Sequence, residues 1–366
     1  MYFFSKLLSY TSILNMKNNI KNLSKEELFA YFENIGEKKF RANQLCNAIY
    51  NNKISSFQSI SNFSSAIKTK LEQDFNLVSL ELADKMVSDD GTTKFIFRTF
   101  DNNIIESVFL PNNNNTDASD RNTLCISTMV GCYIGCKFCA TGYLGYKRNL
   151  DVSEILEQIL FIQQHFSETK IRNAVFMGMG EPLLNFDNLI RAIRIILEFK
   201  LLNSKGITIS TIGIPDAIVN LANEGLKIKL AFSLHSAHNN IRQTLIPTAK
   251  KYSIEEILKS LDYYYRNTHL PLTIEYILFK GINDSDEDVK KLIRIARRFP
   301  STINLIPYND IGRELDIIPC NSSDIKDFAR KLYNEDILVI TRKSQGQDIS
   351  AACGMLATSN DTTAVG

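Results

Sequence analysis

Residues 124–142 read LCISTMVGCYIGCKFCATG, an apolar strand pattern followed by a glycine-containing loop with three closely spaced cysteines. Beyond this loop, short apolar runs alternate with amphipathic segments. The predicted strands span 124–129, 173–177, 206–212, 228–234, 272–278, 302–306 and 336–341, and the predicted helices between them span 152–165, 186–199, 214–223, 254–266, 287–298 and 323–333. Repeated strand–helix units predict an α/β fold of parallel strands with crossover helices, hence a barrel or part of one. In such barrels, the reacting groups lie at the carboxyl ends of the strands.

The chain before this unit is organised differently. Residues 16–75 predict a small helical accessory domain, in which Ser24 and Glu27 match a capping box and further helices are expected at 41–51 and 62–73. Residues 76–122 predict a short β-meander that ends in an Asn-rich loop, which we expect to be exposed. We assign residues 1–15 to an N-terminal extension, 123–357 to the barrel domain and 358–366 to a flexible tail.

The composition is that of an ordinary globular protein. Apolar residues make up 44% of the chain, charged residues 22%, and the net charge is +2. Residues 1–15 lack the length of a membrane span and the cleavage site of a secretory signal, so we expect a cytoplasmic protein with no membrane partner. Residues 1–75 hold ten Lys or Arg against six Asp or Glu. The candidate phosphate contacts in this region are Lys38, Lys39, Arg41, Lys68 and Lys70.

The cysteine loop has the C-x3-C-x2-C spacing of Cys132, Cys136 and Cys139. Three thiolates at this spacing can hold three irons of a [4Fe–4S] cluster and leave the fourth iron open to a cofactor or substrate. The alternative is a structural zinc site with Cys125 as the fourth ligand. The six-residue gap after Cys125 fits zinc less well, because structural zinc sites use short paired C-x2–4-C units.

With Phe138 before its last cysteine, this motif resembles the radical S-adenosylmethionine (SAM) superfamily. The resemblance implies a partial (β/α)6 barrel, one [4Fe–4S] cluster on Cys132, Cys136 and Cys139, and SAM bound to the open iron. Further glycines and polar residues lie at the carboxyl ends of the predicted strands. The candidate SAM contacts are Gly180, Glu181, Ser210, Ser233, Leu234, His235 and Asn309. Each by itself is more often structural, but their shared placement at one end of the barrel predicts a cofactor site.

A narrower resemblance rests on Cys125, on Cys353 within ACG, and on the motifs GEPLLN and SLH. Together they resemble the dual-specificity RNA adenine carbon-2 methyltransferases, over residues 28–356. That family methylates an adenosine of 23S rRNA near the peptidyl-transferase centre and the adenosine of tRNA next to the anticodon. The resemblance therefore implies both RNAs as partners, two SAM molecules per methylation, a reducing partner such as flavodoxin, and a monomer.

The same resemblance assigns roles to three residues. Cys353 would accept a methyl group from one SAM, a radical from a second SAM would remove a hydrogen atom from that methyl group, and the resulting methylene radical would add to the base. Cys125 would then attack the sulfur of Cys353 and form a transient disulfide, while Glu106 would remove the carbon-2 proton. The sequence departs from the family where Gln345 and Gln347 stand in place of the common Arg and Asp, and in its longer Asn-rich loop.

Three alternatives stay open at this point. A carbon-8 adenine methyltransferase of the antibiotic-resistance type shares both catalytic cysteines and the cluster motif. A radical enzyme that modifies a protein is more distant, because it does not explain Cys353. The non-enzymatic alternative is a zinc-stabilised RNA-binding protein, which leaves Cys353 and the motifs at the strand ends unexplained.

Overall fold

The computed structural model describes residues 17–112, 122–313 and 317–357 of the 366-residue chain. The predicted N-terminal extension, most of the Asn-rich loop and the predicted tail therefore lie outside the described residues. Three helices form the first part of the molecule, α1 (Lys25–Asn34), α2 (Phe40–Tyr50) and α3 (Ser65–Asp74). The predicted capping box is present, since the Glu27 N–H donates to Ser24 Oγ at 3.1 Å and the Ser24 N–H donates to Glu27 Oε2 at 2.6 Å.

The predicted meander is present but is continuous with the main sheet. It consists of β1 (Leu80–Val87), β2 (Thr93–Thr99) and β3 (Ile104–Leu110), which pair in antiparallel order. β3 then pairs antiparallel with β4 (Asn122–Cys125). The meander therefore extends one edge of the barrel sheet. A separate hairpin, β5 (Met129–Gly131) and β6 (Tyr146–Asn149), flanks the cysteine loop.

The barrel sheet continues from β4 through a series of parallel strands. These are β7 (Ile171–Phe176), β8 (Ile207–Thr211), β9 (Lys229–Ser233), β10 (Leu272–Lys280), β11 (Ser301–Pro307) and β13 (Val339–Thr341), and β12 (Ile318–Pro319) pairs with β10. Each strand is parallel to its neighbour from β4 to β13. Among the described residues the strand order runs from β1 to β13 with no pairing between these two edge strands, as the predicted partial barrel requires.

Helices connect the parallel strands, as the alternating pattern predicts. They are α4 (Val152–His165), α5 (Phe186–Glu198), α6 (Pro215–Asn223), α7 (Asn239–Leu245), α8 (Ile254–Thr268), α9 (Asp286–Ala296) and α10 (Ser322–Tyr333). The strand predicted at 124–129 ends earlier, because the Ser127 N–H donates to the side chain of Gln158 and not to a strand. The strand predicted at 336–341 starts later, because Asp336 adopts a left-handed conformation with φ 59°.

The core is continuous across the helical region, the meander and the barrel. One cluster of buried apolar side chains extends from Ile20 to Leu356. A second cluster, which includes Ile134, Phe138 and Phe279, packs around the cysteine loop. Among the described residues, no helix combines the length and apolar character needed to cross a membrane.

Candidate active site

The cysteine loop is fixed from both sides. The Cys132 N–H donates to the carbonyl of Gly145 in the β5–β6 hairpin at 3.0 Å, and the Lys137 N–H donates to the carbonyl of Leu245 at the end of α7, also at 3.0 Å. Gly131 is required at the start of the loop, because its φ is +72° and an added Cβ would lie 1.8 Å from Gly145 O. The loop conformation is therefore set by backbone contacts rather than by the cysteine side chains.

The three cysteines of the motif line one cavity of about 140 Å³ at the carboxyl ends of the strands. Burial raises the pKa of Cys132 to about 12 and the pKa of Cys136 well above its usual range, and the neighbouring thiols act in the same direction. No group of three His, Cys, Asp or Glu side chains in the part of the chain that the structure describes is close enough to hold a single metal ion. Three cysteine side chains around one cavity are the donor set that a [4Fe–4S] cluster with one open iron requires.

Glu181 lies in the wall of the same cavity and is 3% exposed. Its Oε1 accepts from the Leu183 N–H at 3.2 Å and its Oε2 accepts from the Ile212 N–H at 2.9 Å. Burial raises the pKa of Glu181 to about 7, against the opposing effect of these backbone hydrogen bonds. Next to it, Gly180 has φ +105°, and a Cβ there would lie 2.7 Å from the Met129 side chain. The carboxylate is therefore held rigidly where a ligand could approach the backbone.

The other predicted strand-end residues are brought together from β8 and β9. Ser210 and Ser233 line the cavity with their hydroxyl oxygens 3.1 Å apart. His235, also in the wall, accepts the Ile277 N–H on Nδ1 at 3.1 Å, and burial lowers its pKa to about 3, so it is neutral. Leu234 is fully buried and donates its N–H to the carbonyl of Glu275 at 3.1 Å.

A second, larger cavity of about 380 Å³ adjoins the first. Cys125 lines the larger cavity only, whereas Cys353 lines both. Cys353 is accessible to solvent, yet the surrounding protein raises the pKa of its thiol to about 12. Burial likewise raises the pKa of Cys125 to about 12, with Cys353 acting in the same direction. Cys125 is thus separated from the three cysteines of the motif and grouped with Cys353, which the zinc alternative did not predict.

The segment that carries Cys353 is held at several points along residues 344–357. Asn309, which lines the larger cavity, donates from Nδ2 to the carbonyl of Cys353 at 3.0 Å. The carbonyl of Gly354 accepts the Ala140 N–H at 2.7 Å, immediately after the cysteine loop. At its other end the segment meets the β1–β2 turn, where Ser88 Oγ donates to Asp348 Oδ1 at 2.6 Å. These contacts place Cys353 between the two cavities.

Glu106 is the predicted catalytic residue that is not among the described residues lining either cavity, and the predicted SAM contact Leu234 is likewise absent from both linings. It is fully buried on β3, two residues before Val108, which does line the larger cavity. Burial raises the pKa of Glu106 to about 7, and the Lys94 ammonium, 3.6 Å from Oε1, opposes this rise. The structure therefore places this carboxylate on the same face of the strand as the cavity wall and within the core.

Comparison with known proteins agrees with this arrangement. Residues 126–293 match the Radical SAM superfamily, and residues 18–77 match the Ribosomal RNA large subunit methyltransferase N-terminal domain. The "Probable dual-specificity RNA methyltransferase RlmN" of Thermotoga sp. (strain RQ2) is 45% identical over 341 residues, which are 92% of this chain and 97% of the relative. The chain belongs to the RlmN family of radical SAM RNA methyltransferases.

Other members of the RlmN family give the same result. The relative of the same name from Chloroherpeton thalassium is 42% identical over 353 residues, covering 93% of this chain and 94% of the relative. A crystal structure of a radical SAM methyltransferase from Sphaerobacter thermophilus superposes with a TM-score of 0.87 at 33% identity, covering 92% of this chain and 98% of that one. The protein is thus a SAM-dependent RNA methyltransferase, and its superfamily implies SAM and a [4Fe–4S] cluster.

The structure also shows a carboxylate at this RlmN-family site that the sequence analysis missed. Glu275 lines both cavities together with Cys353, and its Oε1 accepts from Asn304 Nδ2 at 2.9 Å. It is one of the groups that raise the pKa of the Cys353 thiol. A charged residue in the middle of the apolar run LTIEYILF was the available signal, because buried carboxylates are rare outside functional sites.

A buried guanidinium was missed as well. Arg242 is 1% exposed, and its Nε donates to the carbonyl of Leu234 at 3.0 Å, while the guanidinium lies 5.4 Å from the ring centroid of Phe232. Burial lowers its pKa to about 10, against the effects of Cys136 and Glu181. Arg242 therefore fixes the end of β9 and places a positive charge near the cysteine loop. The local sequence gives no signal that distinguishes it from a surface arginine.

The basic residues expected to contact phosphate are mostly paired within the protein. Lys39 forms an ion pair with Glu33 at 3.2 Å, and Lys70 forms one with Asp74 at 2.9 Å. Arg41 contacts Glu37 at 3.4 Å and also donates to the Asn62 carbonyl at 2.8 Å, and Lys68 donates to the Gln58 carbonyl at 3.0 Å. Lys38 is exposed. An RNA phosphate would have to compete with these contacts.

Proposed function

We propose that this protein methylates carbon 2 of adenine in 23S rRNA and in tRNA next to the anticodon, with Cys353 as the methyl carrier. The observation that supports this most directly is the position of Cys353 between two cavities. The smaller one is lined by the three cysteines of the motif and by five of the candidate SAM contacts, Gly180, Glu181, Ser210, Ser233 and His235. The larger one holds Cys125 and has room for a base. One cysteine can therefore react first with a cofactor and then with a nucleobase.

Most of the residues that would hold the cofactors line the smaller cavity, whereas Asn309 lines the larger one and Leu234 is buried directly after β9. Cys132, Cys136 and Cys139 are the proposed cluster ligands, and their thiols become thiolates on binding iron. Gly180, Glu181, Ser210, Ser233, Leu234, His235 and Asn309 are the proposed SAM contacts. When bound, the cluster and SAM supply a radical able to remove a hydrogen atom from a methyl group. A one-electron donor such as flavodoxin would provide the reducing electron, and we expect the enzyme to act as a monomer.

The protein's own groups account for the other steps. Cys353 loses its thiol proton, and its sulfur displaces S-adenosylhomocysteine from the methyl group of one SAM molecule, forming a new S–CH₃ bond. Once this methyl group has lost one hydrogen atom, the methylene radical on Cys353 adds to carbon 2 of adenine. The radical adduct gives up one electron to the oxidised form of the one-electron donor, and its carbon-2 proton passes to Glu106, which restores the aromatic ring.

Release of the product requires Cys125. Its thiolate attacks the sulfur of Cys353, so that a disulfide forms and the bond from sulfur to the methylene carbon breaks. The electron pair of that bond remains on carbon, which takes up a proton and becomes the methyl group of 2-methyladenosine. A thiol reductant must then reduce the disulfide before the next cycle. Cys125 and Cys353 lining one cavity supports this step.

The test is to reconstitute the protein without oxygen, supply SAM, a reductant and protein-free 23S rRNA, and analyse the nucleosides by mass. The expected product is 2-methyladenosine, which should be lost in Cys353→Ala. A product that elutes as 8-methyladenosine would overturn the assignment to carbon 2. Absence of methylated adenosine with rRNA and with tRNA, from iron-loaded protein that cleaves SAM, would overturn the substrate assignment.

A further inference from the structure

A buried ion pair lies behind the wall of the larger cavity. Lys94 on β2 is 2% exposed and Glu106 on β3 is 0% exposed, with Nζ and Oε1 3.6 Å apart. In the antiparallel register, Lys94 is opposite Val108 and Ile96 is opposite Glu106. Residues paired across strands, and residues two apart along a strand, share one face of the sheet. Lys94 and Glu106 therefore lie on the face to which Val108 belongs, the face that borders the larger cavity.

Glu106 has a fixed backbone and an almost unpaired side chain. Its N–H donates to Met179 Sδ at 3.3 Å and its carbonyl accepts from Ser127 Oγ at 2.5 Å. Neither carboxylate oxygen accepts a hydrogen bond of normal geometry among the described residues, and the groups that favour its ionised form are the Lys94 ammonium and, to a smaller extent, the Ala357 N–H. Lys94 is the charged side chain that acts on this carboxylate, since Met179 and Ser127 are neutral. A buried carboxylate with free lone pairs is costly to keep, and such groups concentrate at sites that move protons.

Lys94 also contacts the segment that carries Cys353. Its Nζ donates to the carbonyl of Ser350 at 3.4 Å, three residues before Cys353. Ser350 adopts a left-handed conformation with φ 51°, which a serine adopts at a cost in free energy. Ala351 and Ala352, between Ser350 and Cys353, line the larger cavity. The Lys94 ammonium therefore contacts both Glu106, the candidate base, and the segment that carries Cys353, the candidate methyl carrier.

We propose that Lys94 is a positioning residue that keeps the Glu106 carboxylate ionised and holds it at a fixed distance from the Cys353 segment. This inference rests on the proposed function, in which Glu106 accepts the carbon-2 proton. Without the ammonium, a carboxyl group buried behind this cavity wall would take up a proton and could no longer act as a base. The transfer of methyl from SAM to Cys353 precedes proton removal from the base and does not need this pair.

The experiment compares Lys94→Met, Lys94→Arg and the wild-type holoenzyme, with Lys85→Met as a control that removes an exposed lysine from the neighbouring strand β1. Two rates are measured for each protein between pH 6 and pH 9, namely methylation of Cys353 by peptide mass and formation of 2-methyladenosine. We expect Lys94→Met to move the acid limb of the pH profile of 2-methyladenosine formation upward by about one unit, which slows the reaction about fivefold at pH 7 and about tenfold at pH 6, because one pKa unit is tenfold in rate on that limb. Methylation of Cys353 should be unchanged, and Lys94→Arg, which keeps the charge, should restore most of the rate.

Several results would overturn the proposal. These are an unshifted pH profile in Lys94→Met, an equal loss in both rates, or a Lys94→Arg enzyme as slow as Lys94→Met. If Lys94→Met does not fold, Lys94→Gln is used, because it removes the charge but can still donate to Ser350, and it should show the same shift. Failure of the wild-type enzyme to form 2-methyladenosine would instead overturn the proposed function. The contact itself would then be judged by infrared titration of the Glu106 carboxyl group, whose midpoint should rise in Lys94→Met.

Discussion

Cys125 and Cys353 line the same cavity, although Cys125 ends β4 and Cys353 follows β13. Cys353 also lines the cavity with the three clustered cysteines, and Cys125 does not. This asymmetry separates the roles of the two cysteines. Only Cys353 can meet a cofactor in the smaller cavity, whereas both can meet a base in the larger one.

The first prediction concerns Cys125→Ser. Cys353 should still become methylated and still add to the RNA, but the adduct should not be resolved, because a serine hydroxyl does not form a bond to sulfur as a thiolate does. We expect a covalent protein–RNA species on a denaturing gel and a loss of 2-methyladenosine of about 100-fold or more. Cys320→Ser is the matched control, since Cys320 lines neither cavity and is buried. Wild-type product from Cys125→Ser would exclude the proposed resolution step.

The second prediction is the pH dependence that Glu106 imposes. Its pKa is raised from 4.5 to about 7 by burial. A base must be deprotonated to act, so the rate of 2-methyladenosine formation should rise about tenfold per pH unit below pH 7 and level off above it. Saturating SAM is needed, because Glu181 titrates in the same range. Glu106→Gln should lose most of the activity, and a pH profile that is flat from pH 5.5 to pH 7 in the wild-type enzyme would argue against this base.

The third prediction tests the charge beside Cys353 without any cofactor. Glu275→Gln keeps an oxygen to accept from Asn304 but removes the negative charge that helps to raise the pKa of the Cys353 thiol. The thiolate fraction at a given pH should therefore increase. In iron-free protein at pH 8, alkylation of Cys353 by iodoacetamide should be faster by up to about tenfold, the effect of one pKa unit. Glu81→Gln, at an exposed position on β1, serves as the control and should leave the rate unchanged. A slower reaction in Glu275→Gln would contradict the prediction.

The fourth prediction concerns the turn that begins the Cys353 segment. Gly346 has φ +66°, and a Cβ there would lie 2.7 Å from Thr92 Cγ2 and 2.9 Å from Ala351 Cβ. Gly346→Ala should displace the segment, lower the thermal unfolding midpoint and reduce RNA methylation. Gly225→Ala is the control, because Gly225 has nearly the same backbone conformation, with φ +67°, but an added Cβ there would have no atom within 4 Å. It should cost only the left-handed penalty of about 1 kcal/mol and keep the activity. Equal effects of both substitutions on activity would show that the contact with Thr92 is unimportant.

The structure shows what Gln345 and Gln347, which depart from the family pattern, contact. Gln345 donates from Nε2 to the carbonyl of Pro111 at 3.2 Å, and Gln347 donates from Nε2 to Asn309 Oδ1 at 2.8 Å. Both residues therefore help to hold the Cys353 segment against the barrel. The contact with Asn309 also connects Gln347 to the carbonyl of Cys353 through the same amide. The sequence could show the substitutions but not these partners.

Local sequence patterns were enough to predict the order of strands and helices, because apolar periodicity and capping residues act over a few neighbouring positions. Helix α4 begins and ends at the predicted residues, and the capping box at Ser24 is formed. The cysteine spacing was equally local, and with the motifs at Glu181, His235 and Cys353 it was enough for the family. Strand limits were predicted less accurately, because they depend on distant partners. The strand predicted at 124–129 ends early since the Ser127 N–H donates to Gln158 on helix α4.

No local pattern indicates which distant residues share an environment, and these neighbours are visible in the folded chain alone. Glu275 becomes a neighbour of Cys353, and Lys94 becomes the partner of Glu106, through strand pairing and through the docking of the last described segment. Burial then sets the charge state of these groups, since the cost of an ion in the core depends on all the atoms packed around it. Pairing and burial of this kind arise between residues far apart in the chain, so local patterns specify the elements and the fold specifies their chemistry.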